Sequence, residues 1–134
     1  MRVVVDTSVW IDYLRGRSAR VRELLDELID DDRVALAIPV RIELLGGAGR
    51  QGAARLARIL DAIPTYHPVP ATWATMERWA IDAASRGSSF GVGDLLIGAI
   101  AERGGMEVWS LDEDFDRMAE MGYVRTFRPD RSSK

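Results

Sequence analysis

The stretch Val3-Val4-Val5-Asp6-Thr7-Ser8-Val9-Trp10-Ile11-Asp12-Tyr13-Leu14 decides how this chain is read. Arg2 to Val5 is a short β-branched run with no polar face, as expected of a strand buried on both sides. Asp6 ends it at once. From Val9 to Leu14 the apolar Trp10, Ile11 and Leu14 recur at helical spacing. A buried strand passing directly into a helix is the start of an α/β unit.

Working outward, the same alternation continues. An amphipathic helix is expected over Ala19 to Ile29, with Val21, Leu24, Leu25 and Leu28 on one face. Val34 to Ile38 reads as a second strand. Pro39 opens a helix towards Leu45, which Gly46-Gly47-Ala48-Gly49 ends. Helix resumes from Ala53 to Ala62. Pro64 to Val69 is a weak third strand, and Pro70 starts a helix to Ala84. Ser85 to Gly93 reads as a loop, and Asp94 to Glu102 as a helix. Glu107 to Ser110 is a fourth strand, Asp114 to Met121 a last helix, and Tyr123 to Phe127 a fifth strand. The expectation is an α/β fold: one domain over residues 1–128, a parallel sheet with helices on both faces, and a disordered tail over 129–134.

Composition removes several chemistries. The chain has 134 residues and no cysteine, so disulfides, thiolate metal sites and cysteine nucleophiles are excluded. Lys134 is the only lysine, which leaves no P-loop lysine and no Schiff-base lysine within the fold. The only histidine, His67, sits in Tyr66-His67-Pro68, away from any nucleophile motif, and reads as structural. The net charge of -3 does not describe a generally basic nucleic-acid binder. No apolar run is long enough for a signal peptide or a membrane span, so the expected location is the cytoplasm.

The acidic residues carry the chemistry. In a parallel sheet, ligands bind beyond the carboxyl ends of the strands. Asp6 follows the first strand; Asp112 and Asp114 follow the fourth. A crossover helix runs back against the strands, so its N-terminus returns to the same edge. Asp94 opens the helix before the fourth strand, and Glu43 lies about one turn into the helix after the second. Each has a plainer reading: Asp is a favoured N-cap, and Glu43, inside Val40-Arg41-Ile42-Glu43-Leu44-Leu45, could face solvent or pair with an arginine. Their convergence on one edge is harder to attribute to independent caps. An oxygen-only donor set suits Mg²⁺ or Mn²⁺ rather than Zn²⁺, and such ions activate water and offset phosphate charge.

The segments Val3 to Leu14, Ile42-Glu43-Leu44-Leu45-Gly46, Gly93-Asp94-Leu95-Leu96-Ile97-Gly98-Ala99-Ile100-Ala101 and Ser110-Leu111-Asp112-Glu113-Asp114-Phe115 resemble, in order, the PIN domain, specifically the VapC toxins of bacterial toxin–antitoxin pairs. The resemblance implies a three-layer α/β/α fold with a five-stranded parallel sheet ordered 3-2-1-4-5. It implies a Mg²⁺- or Mn²⁺-dependent endoribonuclease that hydrolyses RNA, is neutralised by a VapB-like antitoxin and forms a homodimer. By position, Asp6, Glu43, Asp94 and Asp112 match the family's catalytic acids, with Asp6, Asp94 and Asp112 as metal ligands. Asp112 is preferred to Asp114 for the last position. Ser110 stands where the family usually has threonine, and Thr7, Ser110 and Asp114 are auxiliary candidates. Ser8 reads as a cap of the first helix.

Other signals point elsewhere. Asp30-Asp31-Asp32 reads as a solvated turn ending a helix. Gly87 to Gly93 lacks a P-loop's lysine and preceding strand, so it reads as a flexible loop leading to Asp94. Trp10, Trp73, Trp79 and Trp109 fall in core patterns. Arg15, Arg17, Arg20 and Arg41 lie where they could meet RNA phosphates. A dehalogenase-type phosphatase or a receiver domain would also place an Asp after the first strand, but each needs a lysine within the fold, and only Lys134, the last residue, exists. The alternative from another class is a PIN-like module that binds RNA or protein without cutting.

Overall fold

The computed structural model describes residues 1–129. In chain order it contains β1 (Val3–Val5), α1 (Thr7–Arg15), α2 (Ala19–Asp30), β2 (Val34–Ala37), α3 (Ile38–Gly47), α4 (Gly49–Leu60), β3 (Thr65–Tyr66), α5 (Pro70–Ser85), α6 (Val92–Arg103), β4 (Glu107–Trp109) and α7 (Glu113–Glu120). The strands form a parallel sheet in the order β3-β2-β1-β4, with Val3 opposite both Val34 and Glu107, and Val5 opposite Trp109. Helices cover both faces, giving three layers.

The apolar run explains the position of β1. Val3, Val4 and Val5 have no exposed surface, and all of β2 is buried beside them. Each such side chain contributes about 1.5–3 kcal/mol by leaving water, so a strand without a polar face is most stable between two others. Trp10, Leu25, Leu36, Leu60, Phe115 and Met118 fill the layers around it. Gly98 lets α6 approach its neighbours closely: a Cβ there would lie 2.7 Å from Met118 Cε and 3.0 Å from Val124 Cγ1.

The expected fifth strand is reduced to a single parallel bridge between Val108 and Thr126. Val108 N–H donates to Arg125 O at 2.9 Å, and Phe127 N–H donates to Val108 O at 2.8 Å. The segment therefore lies outside β4, where the order 3-2-1-4-5 puts it, but it does not run as a ladder. Tyr123 and Val124 are consecutive and both buried.

Other boundaries differ in instructive ways. Gly46 and Gly47 lie in the last turn of α3 rather than beyond it; the break comes at Ala48, and Gly49 (φ 78°) opens α4 earlier than expected. The acidic run ends α2 as expected: Asp31 is its C-cap, and Asp32 adopts a left-handed φ of 55°. Asp94 does not open its helix. Gly91 is the N-cap of α6, and Asp94 stands in the first turn. Among the described residues, no helix is long and apolar enough to cross a membrane. The tail expected over 129–134 lies, beyond Pro129, outside the described residues.

Candidate metal centre

The strand order reverses between β1 and β4, which is where an open parallel sheet forms a crevice at its carboxyl edge. Asp6 stands there. Its N–H donates to Trp109 O at 2.9 Å, joining the exits of the two strands. It is the N-cap of α1 by backbone position, yet its side chain makes no capping bond. Instead Asp6 Oδ2 accepts from Ser8 Oγ at 2.9 Å and from Ser110 Oγ at 2.8 Å.

Only 7% of Asp6 is exposed, and a buried carboxylate is costly without donors. The two hydroxyls are themselves held. Ser8 Oγ accepts from Leu111 N–H at 3.0 Å, and Ser110 Oγ accepts from Asp112 N–H at 2.9 Å. Ser8 is thus no cap of α1; it helps orient the carboxylate two residues before it. The capping expectation failed because Asp6, not Ser8, occupies the N-cap position.

Three further acids meet beside this pair of strand ends. Asp94, from the first turn of α6, and Asp112 and Asp114, from the start of α7, bring one carboxylate oxygen each to within 4.8 Å of one another. Burial pushes the Asp94 carboxyl up to about 6, and the charges of Asp112, Asp6 and Asp114 push in the same direction, with a hydrogen bond to Asp114 adding to them. Like charges crowded at one point resist joint ionisation. Asp112 also caps α7, its Oδ1 accepting from Asp114 N–H at 3.0 Å. Capping and clustering are therefore not exclusive at this residue. Asp114 Oδ1 accepts from Arg117 Nη1 at 2.7 Å.

Glu43 lies outside that group of three. It is exposed on α3, and its Oε1 accepts from Thr7 Oγ1 at 3.0 Å. Thr7 follows Asp6 directly, so Glu43 is linked to the centre through one residue. The arginine nearest in sequence is not its partner, because Arg41 Nη2 pairs with Asp61 at 2.7 Å. Arg15 lies on a groove shared with Glu43, Ile11 and Leu44.

The remaining expectations divide. Trp10 and Trp109 are buried and Trp79 stacks on Tyr123, but Trp73 is 45% exposed on α5. His67 is exposed. The loop before α6 is bonded to α7: Arg117 Nη2 donates to Ser88 Oγ and Ser89 O. Arg117 was not singled out from the sequence. Its only signal was the spacing of three residues after Asp114, which brings the two together on a helix.

A PIN domain family model matches residues 3–121. Ribonuclease VapC32 of Mycobacterium tuberculosis is 32% identical over 113 residues, covering 83% of this chain and 85% of that protein. Ribonuclease VapC11 of the same organism is 29% identical over 126 residues, covering 89% and 92%. The chain belongs to the PIN domain family, in its VapC group. Among solved structures, VapBC-5 of M. tuberculosis, a toxin–antitoxin family member, is 26% identical with a TM-score of 0.70, covering 96% of this chain and 99% of that one. VapBC2 of Rickettsia felis, bound to a promoter DNA fragment, shares the fold with a TM-score of 0.79 at 16% identity, covering 95% and 98%.

Proposed function

We propose that this chain is a toxin endoribonuclease that hydrolyses RNA phosphodiester bonds with Mg²⁺ or Mn²⁺ and is neutralised by a cognate antitoxin. The observation that carries the reading is the convergence of Asp94, Asp112 and Asp114 beside the buried Asp6 at the switch point of the sheet. The relatives named as VapC ribonucleases and the VapBC assemblies support the activity and the antitoxin.

The donor set fits a hard divalent cation, since it offers carboxylate oxygens and neither sulfur nor imidazole. Asp6, Asp94 and Asp112 would hold it. When bound, such an ion lowers the pKa of water and offsets charge on the phosphate. Ser8 and Ser110 fix the Asp6 carboxylate by occupying Oδ2. Asp94, with its carboxyl raised to about 6, is mostly ionised at neutral pH, and a bound cation would relieve the repulsion it shares with Asp112, Asp6 and Asp114. Glu43 stands on α3 with Thr7 orienting Oε1, where it can take up a proton as water attacks phosphorus; the P–O bond to the ribose oxygen breaks, and that oxygen leaves as a hydroxyl with a proton from solvent. Asp114, Thr7 and Ser110 are auxiliary. The catalytic unit is residues 1–128, working on cytoplasmic RNA as a homodimer.

The biological test is expression without an antitoxin. Wild-type chain should arrest bacterial growth, and Asp6→Asn, produced to the same soluble level, should not. Equal toxicity of the two forms would assign the effect to binding or aggregation instead of hydrolysis.

A further inference from the structure

One of the clustered acids is tied by a single side chain to the loop that leads to another. Asp114 and Arg117 lie on the same face of α7, joined at 2.7 Å through Nη1. Arg117 Nη2 reaches the other way, donating to Ser88 Oγ at 2.6 Å and to Ser89 O at 3.2 Å. The guanidinium carbon sits 4.5 Å from the centroid of the Phe90 ring. Ser88-Ser89-Phe90 leads into α6, whose first turn carries Asp94. One guanidinium therefore fixes the approach to Asp94 against the turn that carries Asp114. As a stabilising ion pair it contributes little, since its side chains are 44% and 38% exposed.

On the metal-nuclease reading above, we infer that Arg117 is a positioning residue for the divalent cation, holding the segment that carries Asp94 at ligating distance from the turn that carries Asp112 and Asp114. The competing role is charge alone, and the two differ in sign. A guanidinium beside the carboxylates repels a divalent ion, so if charge were its only contribution, removing it would tighten binding. If Arg117 positions the acids, removing it loosens binding, as loss of a ligand's supporting partner does. Lysine separates the roles further. It keeps the charge but lacks the planar fork that serves Asp114 and Ser88 together.

The test is Mn²⁺ binding to the full chain, followed by the electron paramagnetic resonance signal of free Mn²⁺, with circular dichroism confirming the fold. Wild type, Arg117→Gln, Arg117→Lys and Ser88→Ala are compared. Both Arg117 variants should raise the Kd for Mn²⁺ about tenfold. Ser88→Ala removes one arm at constant charge and should raise it about threefold. Should the Arg117 variants fail to fold, Ser88→Ala decides alone, and a wild-type Kd there overturns the inference. Binding by Arg117→Gln as tight as or tighter than wild type overturns it too, as does full restoration by Arg117→Lys. A wild type that binds no Mn²⁺ overturns the metal reading itself, a different result from a wild type that binds alongside indifferent variants.

Discussion

Asp94→Asn is expected to lower RNA cleavage by about a hundredfold or more while the protein stays folded. That figure is a lower bound, because outer partners of metal ligands alone cost about 10–100-fold. Asp94 contributes charge and an oxygen to the cluster with Asp112 and Asp114. Asparagine keeps the shape but loses the charge, and its amide oxygen is a weaker Mg²⁺ ligand. The fold should tolerate the change, since Asp94 is not the N-cap of α6. Asp6→Asn should fail as badly, with its amide oxygen still able to accept from Ser8 and Ser110. Asp31→Asn, on the far exposed end of α2, is the control and should cleave as wild type does. Single-turnover cleavage of an end-labelled RNA measures all four proteins. An Asp94→Asn rate within about threefold of wild type would remove this residue from the site.

The second large effect is on stability, and it changes sign with metal. In chelator, Asp94 carries a carboxyl raised from 3.8 to about 6 in the folded chain. The folded state therefore holds a proton that the unfolded state releases between those values, so stability falls as pH rises through about 4 to 6. Solvent around this partly exposed group screens the effect, leaving about 1 kcal/mol at neutral pH. Asp94→Asn escapes it. In EDTA at pH 7.5 the variant should melt about 4 °C above wild type, and the gap should close near pH 4. Millimolar Mn²⁺ reverses the order. Ion at about a hundred times its Kd stabilises wild type by about 2.7 kcal/mol, and the variant gains less. Thermal melts at the two pH values, with chelator and with metal, contain the whole pattern. A wild type indifferent to metal, with a variant no more stable in EDTA, would leave capping as the role of Asp94.

Much of this was legible because strand ends and acids are local features. The valine run placed β1, and an Asp directly after a buried strand must emerge at the sheet's carboxyl edge. The same logic reached Asp112 and Asp114. Contacts between distant segments were harder to read. Ser8 and Ser110 are 102 residues apart in sequence and converge on Asp6 only because β1 and β4 are neighbours. The start of α6 was set two residues late, since Gly91 offers no side-chain capping signal. The fifth strand is a single bridge because Tyr123 to Phe127 meets β4 only at Val108, and apolar content does not report how many ladder bonds form. Arg117 has no helix-independent signature, and its role depends on a loop 28 residues away.

The most direct test of the central claim is reversal of RNA cleavage by metal removal. Purified wild-type chain is incubated with RNA in Mg²⁺ or Mn²⁺, then with excess EDTA, then with metal restored, and Asp6→Asn is carried through the same purification. The account predicts cleavage at defined sites that stops in chelator, returns with metal and never appears in Asp6→Asn. Cleavage that continues in excess EDTA and is absent from the Asp6→Asn preparation would belong to this chain without a metal, and would contradict the mechanism.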